Sequence, residues 1–380
     1  MTARANTREV TVLLLAGVAA TSFFTLAPAL LGSLIDRMQL SVRAVGWVAT
    51  CQLTGSAVGN LCMLVLGRKL SVRPTLTASL AAAGLANLAT VLARDLTMLS
   101  VCCLASGLAG GMAYSVVNAA AARLPRPGVM FAAISIAQML FGAIGFIVLP
   151  PLIAGFGPGA IFATLGGCAL ACAVAADRLT GSATVHDSGW RASLSLTARG
   201  AVLLVALFAT FLTSTAIWTH LERIGVAARL DAGVISIGLS LGMLAGILGA
   251  VGATVLLLRG WRPDHFLVGG ATLLALSTAL LTKAASPAAY LVALCGFNAT
   301  QALIIPLYLA RLASETGGDA RILVALLAMY LGLIGGPLFG ASLVIALDYQ
   351  ALILVAAASF AVASVLTLGA RRSSMQWVTP

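Results

Sequence analysis

Charge is the first scarcity in this chain: Asp, Glu, Lys and Arg together make up 9% of its 380 residues, while 61% are hydrophobic. A water-soluble domain carries about a quarter charged residues, so composition excludes one of this length. Cysteine pairing is also missing. The seven cysteines are odd in number, fall inside apolar runs and form no Cys-x-x-Cys pair, which reads as small packing residues rather than disulfides or metal ligands. Chemistry-bearing clusters are scarce too. His186, His220 and His265 are scattered, with no His-Glu-x-x-His motif and no paired aspartates. An enzyme is therefore not expected, and nothing in the pattern asks for a cofactor or a metal.

What the chain has is long apolar runs. A bilayer core about 30 Å thick is crossed by roughly 20 apolar residues, so this length accommodates about twelve spans with short connectors. The runs lack the alternation of barrel strands, which leaves an all-α integral membrane protein. Spans 1 to 6 are predicted near 10–35, 44–66, 74–93, 97–122, 129–154 and 158–176. Spans 7 to 12 follow near 200–221, 232–258, 265–282, 287–310, 322–346 and 350–370. The run after Arg4 and Arg8 is too long for a cleaved signal core and is read as span 1. The expected division is an N-terminal six-helix bundle over 1–176, a cytoplasmic linker over 177–199, and a C-terminal bundle with a short tail over 200–380.

The net charge of +11 follows from topology rather than from nucleic-acid binding, because the basic residues sit in short loops and not on one face. If both termini share a side, that side holds Arg4, Arg8, Arg68, Lys69, Arg73, Arg123, Arg126 and Arg178, with Arg191, Arg199, Arg259, Arg262, Arg311, Arg321, Arg371 and Arg372. The other side holds only Arg37, Arg43, Arg94, Arg223, Arg229 and Lys283. The positive-inside rule then makes both termini cytoplasmic, in a multi-pass protein of the cytoplasmic (inner) membrane.

The two halves repeat at a nearly constant offset. Asp36-Arg37 after span 1 returns as Glu222-Arg223 after span 7, and Gly46, Gly55 and Gly59 return as Gly233, Gly242 and Gly246. Arg73-Pro74 returns as Arg262-Pro263, and Gly142 and Gly145 return as Gly332 and Gly335. Parallel repeats of six helices are one of the internal symmetries found in secondary transporters.

With these features the chain resembles the major facilitator superfamily over essentially its whole length. That family's signature between helices 2 and 3, Gly-x-x-x-Asp-Arg-x-Gly-Arg-Arg, aligns with Asn60 to Lys69, where only Gly67, Arg68 and Lys69 match. Leu64 and Val65 replace the acid and first arginine. A Gly-x-x-x-Gly-Pro-x-x-Gly pattern, found on helix 5 of drug and proton antiporters, appears here as Gly332, Gly336, Pro337 and Gly340 on span 11. Small residues that let helices approach account for it equally well. The resemblance implies a secondary transporter with its substrate cavity among helices 1, 4, 7 and 10, helped by 2, 5, 8 and 11. The residues of those helices that carry polar or aromatic groups near mid-span are Thr21, Phe24, Gln52, Tyr114, Asn118, Gln138, Thr213, Asn298, Gln301 and Tyr330. Each amide could serve cargo or tie helices together, and each lone hydroxyl can bond back to its own helix.

No Asp, Glu, Lys or Arg falls at mid-span in this reading, so the gating or proton-coupling candidates lie nearer the ends: Asp36, Arg37, His220, Glu222 and Arg223. His220 is a group of the right type to titrate near neutral pH. The alternative is a hydrated helix end with Trp218 as an interfacial anchor. The acids and arginines after spans 1 and 7 could exchange partners between the bundles as an outer gate, or each acid could simply neutralise its own neighbour. Such a chain is expected to move a neutral or modestly polar small organic solute, with protons as a candidate coupling ion, as a monomer in the lipid bilayer. The competing classes are a sensor or assembly protein built on a transporter fold, and, further off, a membrane-embedded enzyme.

Overall fold

The computed structural model describes residues 7–124, 127–179, 198–259, 263–316 and 319–372. Among them the regular structure is helical, with no β-strand element. The first half holds α1 (Thr7–Thr25), α2 (Ala27–Met38), α3 (Val42–Leu66), α4 (Val72–Val91), α5 (Leu96–Ala121), α6 (Pro127–Phe156) and α7 (Gly159–Ala176). The second holds α8 (Ala198–Ala227), α9 (Ala232–Leu258), α10 (Pro263–Leu280), α11 (Pro287–Thr316), α12 (Asp319–Ala346) and α13 (Tyr349–Arg372). Twelve of these are long and apolar enough to cross a membrane; α2, the shorter one, completes the first span. Helices α3 to α13 are therefore spans 2 to 12.

Span 1 differs from the expected single helix because it breaks at Leu26. Pro28 has no amide hydrogen to give the carbonyl of Phe24, and its ring crowds that oxygen. The ladder continues on both sides, with Leu26 N donating to Ser22 O and Leu30 N donating to Leu26 O. Several of the other helices begin at short polar caps. Ser41 Oγ accepts from Ala44 N at the start of α3, and Asp95 Oδ1 accepts from Met98 N at the start of α5. Asp231 and Asp348 do the same for Gly233 N and Ala351 N before α9 and α13. Each satisfies one amide that the first turn leaves open.

The chain divides into two compact units, residues 1–188 and 189–380. In the first, α3 packs on α5, α4 packs on α5 and α7, and α1 packs against α5, α6 and α7. Its core gathers Leu13, Ala16, Met63, Leu76, Val116 and Ile134. In the second, α9 packs on α11, α10 on α11 and α13, and α8 on α12 and α13. The pairings of spans 2 with 4, 3 with 4 and 3 with 6 thus recur as 8 with 10, 9 with 10 and 9 with 12. The repeat seen in the sequence is a repeat of packing. Of the expected linker, residues 180–197, with His186, lie outside the described residues.

Glycine makes the tightest of these contacts. Gly55 and Gly59 of α3 lie against the backbone of Leu104 and Leu108 in α5, while Gly107 and Gly111 of α5 lie against the carbonyls of Gln52 and Ser56. No side chain separates the two helices there, which is the close approach small residues permit in lipid. On α12, Gly332 and Gly336 abut Phe208 O and Leu212 O of α8, and Gly340 abuts the His220 ring. The antiporter-like glycine pattern is therefore a packing seam onto α8.

Candidate functional site

In the first unit the expected ligands separate by what their polar atoms already do. Thr21 Oγ1 donates to Gly17 O at 3.1 Å, and Gln138 Nε2 reaches the same carbonyl from α6 at 3.3 Å. Gln138 thereby ties α6 to α1. Asn118 is half-buried on α5 and makes no side-chain hydrogen bond among the described residues. Tyr114 is half-buried beside the core of this unit, and Phe24 is half-buried on α1. Gln52 is the outlier, because it is buried while its Oε1 has no hydrogen-bond partner among the described residues. An unpaired buried acceptor costs about 1–3 kcal/mol.

Two polar contacts in this unit escaped the sequence reading. Ser115 Oγ donates to Asn60 Oδ1 at 2.6 Å while Asn60 Nδ2 donates to Ser56 O, and Ser106 Oγ donates to Asn87 Oδ1 at 3.0 Å. They tie α5 to α3 and to α4. The available signal was an amide inside each apolar run; its partner, on another helix, has no sequence signature. At the ends of α4 and α7, Arg73 pairs with Asp177 at 3.1 Å, with both side chains about half exposed.

In the second unit Thr213 is buried and donates to Ala209 O at 2.8 Å. Asn298 Nδ2 donates to Leu294 O at 3.0 Å and stands directly over Gly242 of α9. It fills the seam between α9 and α11. Gln301, one turn further along α11, is half-buried and makes no side-chain hydrogen bond among the described residues. Tyr330 is half-buried on α12.

The gating candidates need a correction of position. Span 7 does not end at residue 221: α8 continues to Ala227, so Glu222 and Arg223 lie inside the helix rather than at a wet end. Their side chains are 17% and 9% exposed. The guanidinium engages the carboxylate through two bonds, Nε to Oε2 at 2.5 Å and Nη2 to Oε1 at 2.6 Å. Two opposite charges are thus paired inside the helix, past the expected boundary. His220, one turn before, is buried, and its Nδ1 sits 2.8 Å from Ala216 O. A carbonyl only accepts, so that contact places a proton on Nδ1. The ring lies 6.3 Å from that of Tyr349 on α13. Tyr290 of α11 donates its hydroxyl to Leu221 O at 3.0 Å. Trp218 is buried and so is not a lipid-facing anchor. Asp36 is exposed on α2, and the side chain of Arg37 lies outside the described residues. No cluster of three His, Cys, Asp or Glu able to hold a metal occurs among the described residues.

Comparison with known proteins fits this arrangement. The structure is similar to that of the human organic anion transporter MFSD10 (TETRAN), with 17% identity and a TM-score of 0.67 over 95% of this chain and 99% of that one. It is also similar to a point mutant of the nucleoside transporter NupG, with 12% identity, a TM-score of 0.75 and the same two coverages. At such identities the likeness is one of fold. No curated protein sequence matches the chain. The family model described as Major Facilitator Superfamily does match, over residues 12–322. Twelve apolar spans in two six-helix units and a family match across most of the sequence lead to one conclusion: the chain belongs to the Major Facilitator Superfamily.

Proposed function

We propose that this protein is a secondary transporter that carries a small organic solute across the cytoplasmic membrane by alternating access, with both termini cytoplasmic. Family membership supports the transporter reading. The observation that carries the assignment of cargo type is the state of the mid-span amides. Among the described residues, Asn118 and Gln301, on spans 4 and 10, keep amides that make no hydrogen bond, and Gln52 keeps a buried acceptor without a donor. An amide inside a membrane span is costly unless something hydrogen-bonds it, and a polar organic solute does so. The two structural neighbours are named for an organic anion and a nucleoside, both small organic molecules. Thr21, Phe24, Tyr114 and Tyr330 add half-buried hydroxyl and aromatic surface on spans 1, 4 and 11. Within this reading His220, Glu222 and Arg223 are the coupling and gating groups of the second unit, and Asp36 and Arg37 those of the first.

The test is transport by the purified full-length chain in proteoliposomes. Vesicles loaded with a mixture of unlabelled metabolites are placed in a dilute labelled mixture of the same composition, and accumulated compounds are read by mass spectrometry. Counterflow of at least one organic solute above protein-free vesicles is expected. Binding of solutes with no flux would instead identify a sensor, and conversion of a solute would identify an enzyme.

A further inference from the structure

The Glu222–Arg223 pair is stereochemically unusual. Neighbouring residues on a helix point about 100° apart and do not face each other, so helix geometry alone does not bring i and i+1 together. Here the guanidinium folds back to grip both carboxylate oxygens, in a place where its side chain is 9% exposed. Desolvating two charges offsets most of their attraction, so such a pair contributes little to stability, while removing either partner strands a buried charge. The arrangement holds a guanidinium in a dry site with its carboxylate-binding fork already occupied by a carboxylate.

We propose that Arg223 is an anion-binding residue masked by Glu222, and that the carboxylate of an amphipathic organic acid takes the place of the Glu222 carboxylate as Glu222 takes up a proton. The exchange balances. One proton binds Glu222, one carboxylate binds Arg223, and the net charge of the site is unchanged, which is the condition for stability in low dielectric. Arginine suits this role because its planar fork binds any carboxylate in the same two-point geometry.

Glu222 is assigned the proton because its carboxylate holds the fork. On α8 itself, His220 carries a proton on Nδ1, given to Ala216 O, and its Nε2 is a second basic atom. From α11, Tyr290 lies within electrostatic reach of Glu222, and its hydroxyl is committed to Leu221 O. From α13, the half-buried Tyr349 lies within electrostatic reach of both members of the pair. Helix α9 places Ile235 beside Gly225, and α12 places Gly340 beside the His220 ring. Asp231 and Asp348, at the starts of α9 and α13, are exposed and accept backbone amides as helix caps.

This inference rests on the transporter reading but names a cargo class, and its test is separate from flux. The probe is benzoate, with uncharged benzamide as control, added to the purified full-length protein in detergent. If one proton enters with each anion, linkage requires the apparent Kd for benzoate to rise about tenfold per pH unit between about pH 6 and pH 8. A pH indicator in weakly buffered solution should record about one proton taken up per benzoate bound. In Glu222→Gln the fork is unmasked, so benzoate should bind at the alkaline end and the pH slope should vanish. In Arg223→Leu benzoate binding should be lost. Wild-type protein that binds no benzoate, binds it without proton uptake, or binds benzamide equally well overturns the proposal. The wild-type measurements decide even if a variant fails to fold. A flat wild-type profile in a protein that shows counterflow of other solutes sinks this inference alone; absent counterflow sinks the transporter reading.

Discussion

Gly55→Ala is the most direct probe of how the first unit is built. A methyl group at Gly55 would overlap the carbonyl oxygen of Leu104 and stand 2.8 Å from the amide nitrogen of Leu108. Both are backbone atoms of α5, so neither can rotate away and the helices must part. Overpacking of this kind costs typically about 1–3 kcal/mol, and a backbone obstacle puts the cost at the upper end. Alanine recovers only about 0.5–1 kcal/mol through its better helix propensity, so a net loss of about 2–2.5 kcal/mol is expected. Gly167→Ala on α7 is the matched control. Gly167 is exposed and a Cβ there would meet nothing within 4 Å, so the variant should gain about 0.5–1 kcal/mol. Equilibrium unfolding in mixed micelles with increasing sodium dodecyl sulfate, followed by circular dichroism, would place both variants on one scale. A Gly55→Ala protein as stable as wild type would refute the claim that α3 and α5 meet backbone to backbone.

Three further outcomes follow from the contacts. Gln301→Ala should weaken binding of whatever solute shows counterflow while leaving the melting temperature nearly unchanged, whereas Asn298→Ala should lower it, because Asn298 fills the seam over Gly242; equal effects on stability would remove the distinction. Tyr308→Phe deletes a buried hydroxyl that lies 3.2 Å from Thr367 Oγ1, and should cost about 1 kcal/mol in the same unfolding assay. Arg73→Ala should cost only about 0–1 kcal/mol, because its pair with Asp177 is half exposed, and high salt should erase the difference.

The helices were legible because lipid imposes one rule on every span, and apolar runs obey it. Residues that break the rule in compensated ways were not. Glu222 and Arg223 read as the end of span 7 because a charge in isolation belongs in water, whereas in the folded chain the two pair with each other and α8 runs on to Ala227. Pro28 stood in an otherwise unbroken run, and a single proline does not disclose whether a helix bends or stops. The candidate ligands divided for a similar reason. An amide in a span signals a polar need but not who meets it, so Gln138, engaged by Gly17 O, and Gln301, not engaged among the described residues, looked alike. The hydroxyls of Thr21 and Thr213 went to their own helices, the local option that sequence does predict.

The glycine contact between α3 and α5 also bears on motion. Helices separated by side chains can slide, because rotamers exchange as one surface moves over another. Two helices that touch through backbone have no such layer, so α3 and α5 are expected to move together. The break at Leu26 between α1 and α2, beside Pro28, is the expected place for the first unit to bend. A transporter built this way would bend its first span at Pro28 while α3 and α5 stay paired.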